Sequence, residues 1–237
     1  MKQSKIPVLL YHSIVSNGEV GNLNLSDFER QISFLYKHKY NSVHLNEINP
    51  SSKNQIVITF DDGYKDIITN VLPILKKYGF KATCFIVSNY LGKYNDWDLE
   101  NRNYQKKELM NKNDIIEWIK NGMNIGSHSH NHKNLTTLNE KDLKNEIFYS
   151  KKFLENLFSI PINDFCYPYG QINSLAFNYV KEKYINGYTT NRSRFNLKNH
   201  DPHLIPRIDM GKKISNIKIF LKLNTLYEDI KYNKNEI

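Results

Sequence analysis

The sequence predicts an α/β domain built around a parallel sheet. Three observations carry this reading. Short apolar runs rich in β-branched residues alternate with stretches of helical, amphipathic spacing, which is the pattern of βαβ units. The chain has 237 residues, 40% of them hydrophobic and 13% aromatic, enough for one sizeable core. No internal repeat or Gly/Ser-rich linker divides it, so residues 1–237 are read as a single domain.

Pro7–Ile14 (PVLLYHSI) reads as a buried strand. Ser26 and Glu29 have capping-box spacing, and the helix they open is expected to bury Phe28, Ile32, Leu35 and Tyr36. Gln55–Phe60 (QIVITF) is a second strand by its β-branched content. Lys65–Tyr78 is a helix with Ile68, Val71, Leu72 and Leu75 on one face and Gly79 as its stop. Ala82–Val87 is a third strand. The polar, aromatic stretch 88–112, with Tyr90, Tyr94, Trp97 and Tyr104, reads as a long loop whose rings either stack on a ligand or cover the core. Asn113 caps a short helix that stops at Gly122, and Met123–Ser127 follows as a strand. Asn139–Phe158 is a longer helix; Phe165–Tyr167, Gly187–Thr190 and Leu204–Ile208 are short strands. The tail, 228–237, is expected to fray.

Composition excludes several classes. Ten glycines and seven prolines rule out collagen-like and low-complexity chains. With no run of 18 apolar residues, no transmembrane segment is expected. The apolar stretch near the N-terminus is too short for a signal-peptide core, so the chain as written reads as cytoplasmic, or as extracytoplasmic with a leader removed. The net charge of +9 is spread along the chain without a dense basic block, so no nucleic-acid partner is expected. Cys84 and Cys166 are too few and too far apart for a disulfide framework and read as small buried hydrophobes.

Three segments bear chemistry. Asp61 and Asp62 follow directly on an apolar strand and precede Gly63. Asp-Gly is ordinary turn chemistry, but two adjacent carboxylates at a strand end are costly without a balancing cation, and a metal ion is the simplest one. Gly126–His132 (GSHSHNH) places three of the chain's eight histidines within five positions. In a turn or helix His128 and His132 share a face; in an extended strand all three share one side. We take His128 and His132 as ligands, with His130 pointing elsewhere. One carboxylate and two imidazoles with positions left for water make a catalytic zinc-type site, and the second carboxylate is then available as a general base. Asp164–Gly170 (DFCYPYG) adds a rigid aromatic turn.

TFDDGY, SHSHNH and FCYPYG, in this order, resemble the polysaccharide deacetylases of carbohydrate esterase family 4, over about Pro7 to Met210. The resemblance implies a distorted (β/α)7 TIM-like barrel that removes N-acetyl groups from an amino-sugar glycan or glycoconjugate. It also implies a divalent metal, Zn2+ first, with Co2+ or Ni2+ as alternatives. Asp61 matches the general base, Asp62, His128 and His132 the metal ligands, and Tyr169 the residue whose backbone N–H faces the oxyanion. Two departures stand out. Cys166 occupies the place of an arginine that orients the catalytic aspartate, and no late Leu-x-Leu-x-His motif follows. Leu9–Ile14 resembles that late motif moved to the front, as in circularly permuted members acting on poly-N-acetylglucosamine. His12 is then the general acid, Arg207 the substitute for the missing arginine beside Asp61, and Asp209 the carboxylate that orients His12. Hydrolysis of an O-acyl group on a nucleotide- or lipid-linked sugar, and a non-catalytic glycan-binding barrel, are the rival readings. Oligomeric state is not legible.

Overall fold

The computed structural model describes residues 5–16, 23–100 and 105–232. Seven parallel strands form its centre: β1 (Val8–Tyr11), β2 (Gln55–Phe60), β3 (Thr83–Ile86), β4 (Asn124–Ser127), β5 (Asp164–Cys166), β6 (Asn186–Tyr188) and β7 (Ile208–Asp209). Their spatial order is β6-β5-β4-β3-β2-β1-β7. Every neighbouring pair is parallel. All six residues of β2 are buried, as a strand covered on both faces requires. The two sheet edges meet through one segment: Ile205 bridges Tyr188 of β6, and Ile208 and Asp209 pair with Leu9 and Leu10 of β1. This is the distorted (β/α) barrel that the motif resemblance implies. Pro206 lies between the two contacts and has no N–H to give, so the strand expected over 204–208 is a single bridge followed by β7.

The strand between 165 and 167 begins one residue early at Asp164, and the one expected over 187–190 covers Asn186–Tyr188. Other differences are matters of capping and helical phase. Helix α1 (Leu25–Lys37) is capped by Asn24, whose side chain accepts from the Asp27 N–H, so Ser26 falls inside the first turn. Phe28, Ile32 and Leu35 are buried as expected, but Tyr36 is 57% exposed and Phe34 packs inward in its stead. A π-turn, Ile67–Val71, precedes α2 (Leu72–Tyr78), and its wider turn rotates the buried stripe so that Ile67, not Ile68, is fully enclosed. Gly79 ends α2 in the left-handed conformation, φ 71°. Asn111, not Asn113, caps α3 (Lys112–Lys120), in a box closed by Asp114. The helix expected over 139–158 runs as α4 (Glu140–Lys144), a π-turn (Asn145–Tyr149) and α5 (Ser150–Phe158). Helices α6 (Ser174–Lys183) and α7 (Asn216–Asn224) complete the outer layer. No helix among the described residues is long and apolar enough to cross a membrane.

The stretch 88–112 is more ordered than a plain loop. It carries 3-10 turns at Ser88–Tyr90 and Asp96–Asp98, and isolated bridges join Tyr94 to Glu108 and Tyr64 to Leu109. Leu109 and Met110 are buried. Tyr104 lies outside the described residues.

The tail overturns the expectation of fraying as far as residue 232; 233–237 lie outside the described residues. Glu228 is fully buried, and Asp229 binds Arg194 at 2.7 Å and Lys5 at 2.7 Å. Burial opposes the charge on Asp229, but the Arg194 and Lys5 hydrogen bonds outweigh it and hold the carboxyl below its ordinary range. The stabilisation is therefore present above the unfolded carboxylate pKa, about 3.9, and disappears as pH falls through the lower folded value. We expect Asp229→Asn to lower unfolding stability by about 1–3 kcal/mol at neutral pH. Denaturant midpoints compared at neutral pH and in acid check this: the gap from wild type should close in acid.

Candidate active site

The carboxyl ends of the strands converge on one cleft, as parallel barrels arrange their sites. His12 follows β1, Asp61 and Asp62 follow β2, His128 follows β4, Tyr169 follows β5 and Asp209 ends β7. Four non-glycine residues here have left-handed backbone: Asp62 (φ 71°), Ser129 (φ 63°), His132 (φ 57°) and Tyr169 (φ 59°). Such conformations cost about 1–3 kcal/mol each and persist where the surroundings over-determine them. The turn at Asp62 places its carboxylate against the histidine loop.

Asp62 Oδ1 lies 3.3 Å from His128 Nε2 and 3.3 Å from His132 Nε2. The three donor atoms fall within 4.8 Å of one another, and all three residues are buried. His128 Nδ1 meets the Cys166 carbonyl oxygen at 2.8 Å, which leaves Nε2 directed at Asp62. The His132 backbone N–H donates to Ser129 Oγ at 3.0 Å, fixing the turn. Trp97 stacks on the His132 ring at 4.6 Å. Of the two readings of Trp97, the structure shows a ring that covers a neighbour, here an imidazole of the site. His130 points away and bonds Ser88 Oγ through Nδ1 at 2.8 Å. Burial penalises the Asp62 charge, but its contacts with His128 and His132 outweigh this and hold its carboxyl well below the usual range.

A residue that sequence reasoning missed shapes this loop. Glu146, 1% exposed, accepts from the backbone N–H of His130 (3.0 Å), the backbone N–H of Asn131 (2.7 Å) and the Asn131 side-chain amide (2.7 Å). It projects from the π-turn between α4 and α5. In the sequence it stands among lysines and reads as a solvated helix acid.

Arg207 is brought to Asp61. Its Nη1 and Nη2 each donate to one carboxylate oxygen at 2.7 Å, a two-pronged pair enclosed from solvent. Nε donates to the Thr189 carbonyl at 2.8 Å, Nη1 also to Thr59 Oγ1 at 3.1 Å, and Nη2 also to Cys166 Sγ at 3.1 Å. Cys166 in turn faces Asp61 Oδ2 at 3.5 Å. It is thus a polar member of this network, not the inert hydrophobe expected, because its strand ends where the guanidinium passes. Asp61, His128 and Cys166 also cluster closely enough to suggest a cation, and the Arg207 guanidinium already supplies one. Burial raises the cost of ionising Asp61, yet Arg207 more than compensates and holds its carboxyl below the ordinary value.

His12 is half exposed, with Nε2 3.9 Å from Asp61 Oδ2, beyond hydrogen-bond range. The expected Asp209–His12 contact is not formed. Asp209 Oδ1 instead accepts from the Gly211 N–H at 2.9 Å in a local turn, and its carbonyl accepts from Lys222 at 2.8 Å. Tyr169 closes the cleft beside His132, ring to ring at 4.6 Å. The cleft holds about 630 Å³ and is lined by His12, Asp61, Asp62, His128, His132 and Tyr169 among others.

A curled sheet of seven parallel strands, with an Asp/His/His cluster beside an Arg-held aspartate at its carboxyl ends, defines a barrel with a candidate metal centre. The chain belongs to the polysaccharide deacetylase family, whose model matches residues 48–188. A Bacillus subtilis (strain 168) relative named as a polysaccharide deacetylase, YxkH, is 31% identical over 179 residues, covering 73% of this chain and 59% of its own length. The chain thus spans about three fifths of that relative. The poly-beta-1,6-N-acetyl-D-glucosamine N-deacetylase of Staphylococcus aureus (strain MRSA252) is 27% identical over 210 residues, covering 81% of this chain and 70% of its own. Among solved structures, the Streptococcus pyogenes deacetylase PplD, in complex with acetate, superposes with a TM-score of 0.80 at 22% identity, covering 93% of this chain and 98% of that one, and so shares its fold. His12, Arg207 and Asp209 lie outside the span matched by the family model.

Proposed function

We propose that this chain is a metal-dependent hydrolase that removes N-acetyl groups from an amino-sugar glycan and releases acetate. The observation that carries the reading is the convergence of Asp62, His128 and His132 within 4.8 Å, next to a second carboxylate that takes no part in that cluster. The donor set fits a divalent ion. It comprises one carboxylate and two imidazoles, and the orienting bond on His128 Nδ1 presents Nε2. We take zinc as the ion, since two imidazoles and one carboxylate with an open position hold it in hydrolytic sites. When bound, such an ion supplies Lewis acidity, polarising an amide carbonyl and acidifying water.

The rest falls to the chain's own groups. Asp61, locked in orientation by Arg207, accepts the proton of the attacking water. His12, on the open side of Asp61, donates a proton to the departing sugar nitrogen. The Tyr169 backbone N–H, turned by its left-handed conformation, is the donor we assign to the developing oxyanion. Water and amide thus become acetate and a free amine. The 3.9 Å between His12 and Asp61 leaves room that a substrate would close. The position of His12 at the end of the first barrel strand, outside the matched span, supports the reading of a family motif moved to the front of the chain.

Asp61→Asn keeps the shape and removes the base. We expect acetate release from N-acetylated oligosaccharides to fall by about 10²–10⁴-fold with bound metal unchanged. Acetate assays paired with elemental analysis check this. Wild-type turnover by that variant would end the assignment.

A further inference from the structure

One wall of the cleft carries charge that the chemistry above does not use. Glu228, fully buried, receives two cations. Arg192 reaches it through Nε (2.9 Å) and Nη2 (3.1 Å), and Lys222 through Nζ (2.8 Å). One carboxylate against two cations leaves a positive charge in surplus. Lys222 is enclosed, so the surplus surfaces at Arg192, whose side chain is 41% exposed and lines the cleft. Arg192 Nη1 has no acceptor among the described residues. Lys212 lines the same cleft, exposed and without an ion-pair partner among the described residues. Its backbone is held in place: the Lys212 carbonyl accepts from Gln31 Nε2 at 3.2 Å, and Gln31 is fully buried.

The other charged groups of the cleft are accounted for. Asp61 is neutralised by Arg207, and Asp62 belongs to the proposed metal centre. His12, His128 and His132 are on the catalytic side. Asp209 is the opposing carboxylate on this wall, and its Oδ1 is turned to the Gly211 N–H. A guanidinium held rigid by a buried carboxylate presents its remaining N–H edge, here Nη1, to an oxyanion with little ordering cost.

We propose that Arg192 and Lys212 form an anion subsite, which binds a carboxylate or phosphate group on the N-acetylated sugar or on its neighbour in the substrate. This rests on the deacetylase reading for its biological sense, but its binding test does not require turnover. The probes are N-acetylglucosamine, N-acetylglucosamine 6-phosphate and N-acetylmuramic acid, titrated calorimetrically into the zinc-loaded protein and again after chelation, so that a phosphate–metal contact is separated out. At low salt at least one anionic sugar should bind roughly tenfold or more tightly than the neutral one in both states. The gap should shrink as salt rises. It should collapse in Lys212→Glu, an exposed substitution that leaves packing intact, and in Arg192→Gln. The source of the charge is read from which of the two anionic sugars gains. Equal affinity for neutral and anionic sugars, a gap that vanishes on chelation, or a gap unchanged in Lys212→Glu would overturn the subsite. Absence of acetate release from N-acetylated oligosaccharides, with the gap present, would remove the deacetylase reading and leave the subsite standing.

Discussion

Replacing Arg207 by Met is expected to be the most damaging single change in this barrel, costing about 3–5 kcal/mol of stability and nearly all activity. Arg207 and Asp61 are both buried, and the guanidinium is the countercharge of Asp61. Without it the carboxylate is left charged and uncompensated, or takes up a proton and stops being a base. Thr59 Oγ1, Cys166 Sγ and the Thr189 carbonyl lose a donor in the same step. Against a total stability of about 5–15 kcal/mol for a typical domain, this is a large fraction. Arg207→Lys keeps a charge but loses the fork, so its effect should be intermediate. Arg207→Met combined with Asp61→Asn removes both members of the pair; it should regain much of the stability and none of the turnover. Urea unfolding and acetate release on the three variants check this. A fully active, fully stable Arg207→Met protein would contradict the assignment.

The second large effect is expected at the histidines. His132→Ala removes one of two imidazoles from a cluster whose members are tightly fixed. Ser129 holds the backbone of His132, Trp97 and Tyr169 pack on its ring, and Glu146 anchors the loop. Bound metal should therefore be lost and acetate release should drop by at least about 10²-fold. Chelation of the wild type should do the same, with zinc or cobalt restoring wild type but not the variant. Glu146→Gln is expected to act more gently. It keeps the loop's volume but weakens its anchor, and should cost about 10–100-fold in metal affinity. Metal titration and acetate release distinguish the two variants.

What was legible in the sequence was local. Asp61 and Asp62 announce themselves because a fully buried strand delivers two adjacent carboxylates to its end. His128 and His132 do so because five residues suffice to place two imidazoles on one turn. Arg207 was reachable through the resemblance, as the substitute for the arginine whose place Cys166 takes. Glu146 and Thr59 gave no signal, whereas Ser129 stands within the SHSHNH motif that carries the resemblance. Each acts on a site residue by a hydrogen bond, and in Glu146 and Thr59 the partner is distant in the chain, so no periodicity reports it. The fold class followed from alternating apolar runs. Closure through Ile205 and β7 did not, because two contacts separated by Pro206 make no strand-like pattern. The phase error at Ile68 has a local origin: the π-turn at Ile67–Val71 moves the buried face by one residue. The tail was misread because its acids meet Arg192, Arg194 and Lys5, which lie far back in the chain.

The central claim, a divalent ion seated on Asp62, His128 and His132, is tested most directly by anomalous diffraction from crystals grown with zinc or cobalt. The account predicts a single strong peak about 2.0–2.2 Å from one Asp62 oxygen and from both Nε2 atoms, with Asp61 outside the coordination sphere. A peak elsewhere, or none at a concentration that supports acetate release, would contradict it.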